Sequence, residues 1–279
     1  MATKKGKFLS GLLGPVVLRK LNGQQIISGR PDRSRVKQTA RSKISNNTFG
    51  SASKLAKQLR MLFLPWIEGL YDYDMGNRMH SALMKCLVPS RDLESGSYNF
   101  DESSFDHLRG LEFNKWSPAN SSMRVEPSAS IRDGIINVHI PGTSEFEQII
   151  GGTQWSPLKY PRGTTHCEVT IAVAHINLAD GTRVSTPYRQ TWEVKRREMM
   201  REGIEQDEIN FTMPALEGCL CIVGIFLKFY HLDRTYKHVY NHKKFSPGFI
   251  CSVELIPGEY KLTDDFFWVK MGGLTFEQF

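Results

Sequence analysis

The chain has 279 residues, of which 40% are apolar and 23% charged, and a formal net charge of +7. That length supports two modest domains, or one domain with an appended arm, and the composition is that of globular protein rather than a disordered or fibrous chain. Residues 1–60 hold 14 Lys and Arg against one acid, leaving 22 against 28 beyond them, so a basic front end precedes a mildly acidic body, and no apolar run reaches the roughly 18 to 20 residues of a membrane-spanning helix.

The first residues imitate a secretory signal, with lysines followed by FLSGLLGPVVL. Gly11, Gly14 and Pro15 break that apolar stretch, however, and Arg19-Lys20 stands where a small-residue cleavage site belongs. Five scattered cysteines, an odd number, fit reduced thiols better than a disulfide framework. Both features point to a cytoplasmic protein. Residues 16–21 and 24–27 flank Asn22-Gly23, a pair suited to the positive φ angles of a type I′ turn, and so predict a β-hairpin. Two strands alone are barely stable in water, so this hairpin calls for a surface to lie on.

Next comes SGRPDRSRVKQTARSKIS, residues 28–45, in which Arg30, Arg33, Arg35, Lys37, Arg41 and Lys43 face a single acid, Asp32. The segment reads as an extended basic arm. Six cations on a duplex predict a log-log salt slope of roughly −4 to −5. Docking on an acidic protein surface explains the same charges equally well, and the interleaved aromatics that favour single strands are missing.

A helix follows, capped by Asn47 or Thr48, with Phe49, Ala52, Ala56, Leu59 and Phe63 as its apolar stripe and Pro65 as its end or kink. Lys54, Lys57 and Arg60 lie off the stripe and extend the basic surface. A second helix is predicted from Met75 to Val88, stopped by Pro89. From residue 90 the Ser, Asp, Asn and Gly texture is that of a loop. Beyond residue 120 the signals are those of strands: 136–140 after the Arg132-Asp133-Gly134 turn, 166–177, a Thr, Val, Tyr and Trp-rich return strand after Asp180-Gly181, then 219–230, 249–256 and a last strand in DDFFWVKM. KRREMMREG, 195–203, fits either a helical turn or a charged loop. The predicted class is therefore α+β, mainly β. Residues 1–45 form a hairpin and arm, 46–115 a helical region, and 120–279 an antiparallel β-sandwich.

GLLGPVVLRKLNGQQIISGRP, VKQTARSKISNNTFGSASKLAKQLR and the short LRGLEFN (108–114) resemble, in that order, a large uncharacterised family of Bacteroidetes proteins. Its members open with a glycine-marked hairpin and a basic segment, continue with a phrase like R-x-x-x-x-E-F-G-x-A-x-x-A-x-x-L-R, and close with an immunoglobulin-like β domain. Phe49, Gly50, Ala52, Lys54, Leu55, Ala56, Leu59 and Arg60 match that phrase, while Thr48 stands where members often have Glu. The resemblance implies a domain plan and a bacterial source, and it brings no activity and no functional residues.

Catalytic patterns fail on spacing. His166-Cys167-Glu168 has the His-x-Glu of zinc deaminases, but Cys219-Leu220-Cys221 replaces the Pro-Cys-x-x-Cys that would complete the metal site. His238 and His242, with His231 nearby, sit in a strand-and-turn stretch where they do not converge. Glu205, Asp207 and Glu208 read as a solvated face. Tyr188, Trp192, Phe226, Phe229 and Tyr230 read as core rather than as a stacking platform. No metal and no cofactor is expected.

What remains is a non-enzymatic structural or assembly protein. The candidate binding residues for a partner or polyanion are Arg19, Lys20, Arg30, Arg33, Arg35, Lys37, Arg41, Lys43, Lys54, Lys57 and Arg60, with Phe266, Phe267 and Trp268 as contact aromatics. The expected partner is another protein or a copy of the chain, engaged by strand addition through residues 16–27. A nucleic-acid-associated protein using residues 19–60 for phosphates is the alternative, and an enzyme whose site is not visible in sequence comes third.

Overall fold

The computed structural model describes residues 2–21, 23–30, 38–123, 126–132, 134–141, 163–195, 209–234, 236–240, 245–260 and 266–276. The chain divides into two compact units, Met1–Ser45 and Asn46–Phe279.

In the first unit the expected hairpin is present as β3 (Val16–Leu21) and β4 (Gln24–Gly29), joined across Leu21↔Gln24. It is not a lone pair of strands. β1 (Thr3–Lys5) and β2 (Phe8–Leu13) precede it, giving a four-stranded antiparallel sheet in the order β1-β2-β3-β4. The partner surface inferred for an isolated hairpin is supplied here by the chain's own first thirteen residues. Each connection is two residues long and carries one glycine at positive φ (Gly6, Gly14 and Gly23), the conformation that matches a tight hairpin to strand twist. Past Gly11 the β2–β3 ladder gives way to a side chain: the Gln25 carboxamide accepts from Leu9 N–H at 2.8 Å and donates to Leu9 C=O at 2.9 Å.

The basic arm also differs from expectation, because its end is helical. Helix α1 runs from Ala40 to Ile67, with Arg41 and Lys43 in its first turn. Thr39 caps it by accepting the Ser42 N–H at 3.2 Å. Pro65 does not stop the helix, since near a helix end its missing N–H and ring clash disturb little that follows. The buried stripe is Thr48, Ala52, Leu55, Ala56, Leu59, Leu62, Phe63 and Ile67. Phe49, expected inside, is exposed and lies edge-on to the His80 ring at 4.4 Å. Helix α2 (Met75–Leu87) buries Met75, Met79, Leu83, Cys86 and Leu87.

The second unit is layered. Its large antiparallel sheet is built on two long central strands, β7 (His166–Asn177) and β11 (Leu220–Asp233), paired continuously from Ile176↔Leu220 to His166↔Tyr230. β13 (Gly248–Leu255) and β12 (Tyr236–Val239) flank β11. β9 (Tyr188–Lys195) and β8 (Thr182–Val184) flank β7, and β14 (Trp268–Lys270) pairs with β8. The single return strand expected after Gly181 is thus two strands. A second sheet has the order β10-β6-β5, from Ile209–Pro214, Ile135–Ile140 and Ser128–Arg132.

Alternation along β7 and β11 divides the core. Ala172, Ala174, Ile176, Leu220, Ile222 and Phe226 face α1 and α2, while Val169, Ile171, Val173, Cys221, Val223 and Ile225 meet Ile136, Val138, Phe211 and Met213 of the small sheet. Burial on both faces explains why these strands read as unbroken apolar runs. The chain is therefore mainly β with antiparallel sheets, and the helices cover the sheet face that the small sheet leaves free. Phe63, Trp66, Phe113 and Phe226 interlock beneath α1, with ring centroids 5.4 to 5.6 Å apart across the pairs they make with Phe226. A Cβ at Gly224 would come within 2.9 Å of Phe226 and 3.0 Å of Phe63. Gly224→Val is accordingly expected to cost about 1 to 3 kcal/mol by overpacking, read as a lower urea midpoint.

The LRGLEFN phrase has a structural role. Gly110 and Phe113 donate to Ile250 and Gly248 carbonyls, and Ile250 N–H returns a bond to Leu111, so this loop covers the outer edge of β13. The Glu112 carboxylate accepts the Ala119 N–H at 2.9 Å, satisfying the start of the short helix α3 (Ala119–Ser122).

Candidate functional site

Arg19, Lys20, Arg30, Arg41 and Lys43 are exposed in the first unit, and Lys54, Lys57 and Arg60 are exposed on α1 in the second. Among the described residues none of these eight has an ion-pair partner. Lys20 instead lies 4.6 Å from the Phe8 ring centroid. Arg33, Arg35 and Lys37 fall outside the described residues, as do Glu205, Asp207, Glu208, His242 and 196–203 of KRREMMREG.

The aromatic tail is divided. Phe267 is 76% exposed, whereas Phe266 packs against both cores and Trp268 against the helix-side core. Tyr188 is exposed and Trp192 half-buried, while Phe226, Phe229 and Tyr230 lie inside.

Both edges of the N-terminal sheet are open among the described residues, and they differ in chemistry. β1 carries lysine at two of its three positions, whereas β4 reads Gln-Gln-Ile-Ile-Ser-Gly with no charge and no proline. Charges on an edge discourage pairing with another chain, and a neutral edge does not. Ile27 on β4 is 65% exposed.

A polar cluster that no sequence pattern announced lies at one end of the large sheet, on the face that α1 covers further along. Strand register aligns His166 with Tyr230, and Glu168 with both Lys228 and Glu193. The His166 ring stacks on Tyr230 at 5.1 Å and 10°, and its Nδ1 lies 2.8 Å from Thr165 Oγ1. Tyr230 donates its hydroxyl to the Glu193 carboxylate. Lys237 Nζ lies 3.8 Å over the Tyr230 ring and 2.5 Å from Glu168 Oε1, and Lys228 reaches the other Glu168 oxygen at 3.7 Å. Burial first, then the bond to Glu193 and the surrounding negative charge, push the Tyr230 phenol well above its ordinary range. A phenol so held is a hydrogen-bond donor, not a nucleophile or base. Two lysines balance two carboxylates, so the cluster satisfies itself.

Cys167, between His166 and Glu168 in sequence, faces the opposite core, and Cys219 and Cys221 are likewise buried. Burial pushes the Cys86 and Cys219 thiols up to about 12, which removes them as nucleophiles. All five cysteines are free. Among the described residues no three His, Cys, Asp or Glu side chains converge to hold a metal, and no helix is long and apolar enough to cross a membrane. No family model, curated protein or solved structure matches the chain.

Proposed function

We propose that this is a non-enzymatic assembly protein, bacterial and cytoplasmic, whose N-terminal unit holds a partner chain by strand addition along β4. The observation that carries this reading is the contrast between the two edges of the first sheet: a lysine-bearing β1 and a neutral β4 that no strand among the described residues covers. Antiparallel pairing of two copies about a two-fold axis centred on Ile27, whose N–H and C=O face the open edge, sets Ile27 of one opposite Ile27 of the other, and the Arg30 residues fall at opposite ends of the joint strand pair. The body has two antiparallel sheets across a common core, which supports the immunoglobulin-like plan implied by the family resemblance. Five free thiols support the cytoplasmic assignment.

Light scattering of the full chain is the test. The intact protein is expected to be at least a dimer, and Ile27→Lys, which places a charge on β4, to return it to a monomer. A wild type that stays monomeric at every concentration and captures no protein overturns the reading. Eight exposed cations that have no ion-pair partner among the described residues favour a second reading, non-specific binding of nucleic-acid phosphates. It requires duplex binding at ~50 mM salt that falls when Arg41, Lys43, Lys54 and Lys57 are replaced by glutamine.

A further inference from the structure

Beside the polar cluster, where α1 ends over the large sheet, lies a groove of about 520 Å³. One part of its lining is aromatic and apolar: Trp66 stacks on Phe226 at 5.4 Å and 22°, with Tyr240 and Pro65 beside them, while charged and hydroxyl side chains line the rest. Its floor holds two hydroxyls, Thr170 and Thr191, 3.0 Å apart across β7 and β9. The Arg189 guanidinium lies 6.0 Å from the Trp66 ring centroid. Among the described residues it has no carboxylate partner and no hydrogen-bond acceptor. An arginine laid against an aromatic face keeps its fork of N–H donors free and pre-oriented, the arrangement suited to a carboxylate.

The other charges in the groove set the ligand's charge. Glu168 is occupied by Lys228 and Lys237, while Glu68 lines the groove and has no ion-pair partner among the described residues. One negative group against Arg189 is matched, whereas a second meets the Glu68 carboxylate. We propose that this groove is a binding site for a small organic monocarboxylate with a planar apolar body, its carboxylate on Arg189 and its rings against Trp66 and Phe226. The volume is in the range of small-molecule sites. The proposal is independent of the strand-addition reading, since every residue in it belongs to the second unit.

The test uses the full chain and three probes: 2-naphthoate, the neutral 2-naphthalenemethanol, and inorganic phosphate. Calorimetry, with tryptophan fluorescence as a second readout, is expected to show saturable 2-naphthoate binding at sub-millimolar to millimolar concentration and none for phosphate. Arg189→Met is expected to weaken 2-naphthoate about tenfold, the loss of a charge-assisted bond, and to leave the neutral probe unchanged. Arg189→Lys, which keeps charge but loses the fork, falls between. Arg189 is exposed, so these variants keep the fold, checked by circular dichroism. Absence of saturable 2-naphthoate binding, equal binding by wild type and Arg189→Met, or phosphate binding as tight as that of 2-naphthoate overturns the assignment.

Discussion

Lowering the pH from neutral to about 5 is expected to destabilise the wild type more steeply than a His175→Leu variant, with the difference arising from one buried imidazole. His175 is fully buried on β7, and among the described residues neither ring nitrogen has a hydrogen-bond partner. Its nearest aromatic neighbour is Phe266, with centroids 5.9 Å apart. Burial lowers its pKa from 6.5 to about 4. With the folded value below the unfolded one, the unfolded chain takes up its proton first. The stability at stake is complete above pH 6.5 and is lost as the pH falls toward 4. At about 1.4 kcal/mol per pH unit the full loss is roughly 3 kcal/mol. Urea midpoints measured from neutral pH to about 5 read this window before most carboxylates titrate. His175→Leu also removes two unsatisfied buried nitrogens, so at neutral pH it is expected to be no less stable than wild type. Identical pH slopes in the two proteins would refute this account.

How much of this was legible follows from how each element is stabilised. β7, β11 and β13 stood out because a strand buried on both faces writes itself as a run of Val, Ile, Leu and Phe. Helix α2 stood out because Met79, Leu83 and Cys86 keep its period. β1 and β2 did not stand out, since β1 is three residues long and β2 is divided by Gly11. The readable trace was the spacing of Gly6, Gly14 and Gly23, which punctuates a meander at intervals of eight or nine residues. The first two turns of α1 were hidden by their basic and polar side chains, although Thr39 had the capping chemistry to announce them. Phe49 misled because a large apolar side chain at helical spacing was assigned to the buried stripe, and the fold turned that face toward His80 instead.

The sheet-end cluster and the groove were illegible for a different reason. His166, Glu168, Glu193, Lys228, Tyr230 and Lys237 come from four strands, and only the registers of β7 with β9 and β11, and of β11 with β12, make them neighbours. The one local sign was a change of texture along alternate positions: β7 is apolar toward its end at Asn177 but begins with His166 and Glu168, while β11 reaches Lys228 and Tyr230 after Phe226. Polar residues replace apolar ones where the helical layer stops covering the sheet. The residues of the 49–60 and 108–114 phrases behave differently. Ala52, Leu55, Ala56 and Leu59 fill the core, and Glu112 and Phe113 fix the 110–113 loop. Those phrases therefore mark packing, and Arg189, which has no ion-pair partner among the described residues, belongs to neither of them.

Asp72→Ala is expected to cost about 3 kcal/mol, because it leaves a guanidinium and two backbone donors without their acceptor. The Asp72 side chain is fully buried in the turn between α1 and α2. It takes two bonds from Arg78 at 2.8 Å each, one from Asp74 N–H at 2.8 Å and one from Lys115 N–H at 2.9 Å. Burial alone would raise its pKa, but the Arg78 side chain, the two backbone donors and the Arg78 charge hold the carboxyl well below the usual carboxylate range. The side chain of Arg78 retains 28% exposure, so solvent screens part of the loss and the lower end of the range for broken buried pairs applies. The stability from Asp72 is present above its unfolded value of 3.8 and lost only in stronger acid, which leaves the His175 window undisturbed. Arg78→Met alone strands the buried carboxylate and also frees the Glu112 carbonyl that Arg78 bonds at 2.8 Å. The double variant is therefore expected to be more stable than the sum of the two single losses, by roughly 1 kcal/mol or more in a urea-denaturation cycle. Strict additivity would mean that Asp72 holds the loops through its backbone bonds alone. The 112–116 loop would then be positioned by the Lys115 N–H rather than by the ion pair.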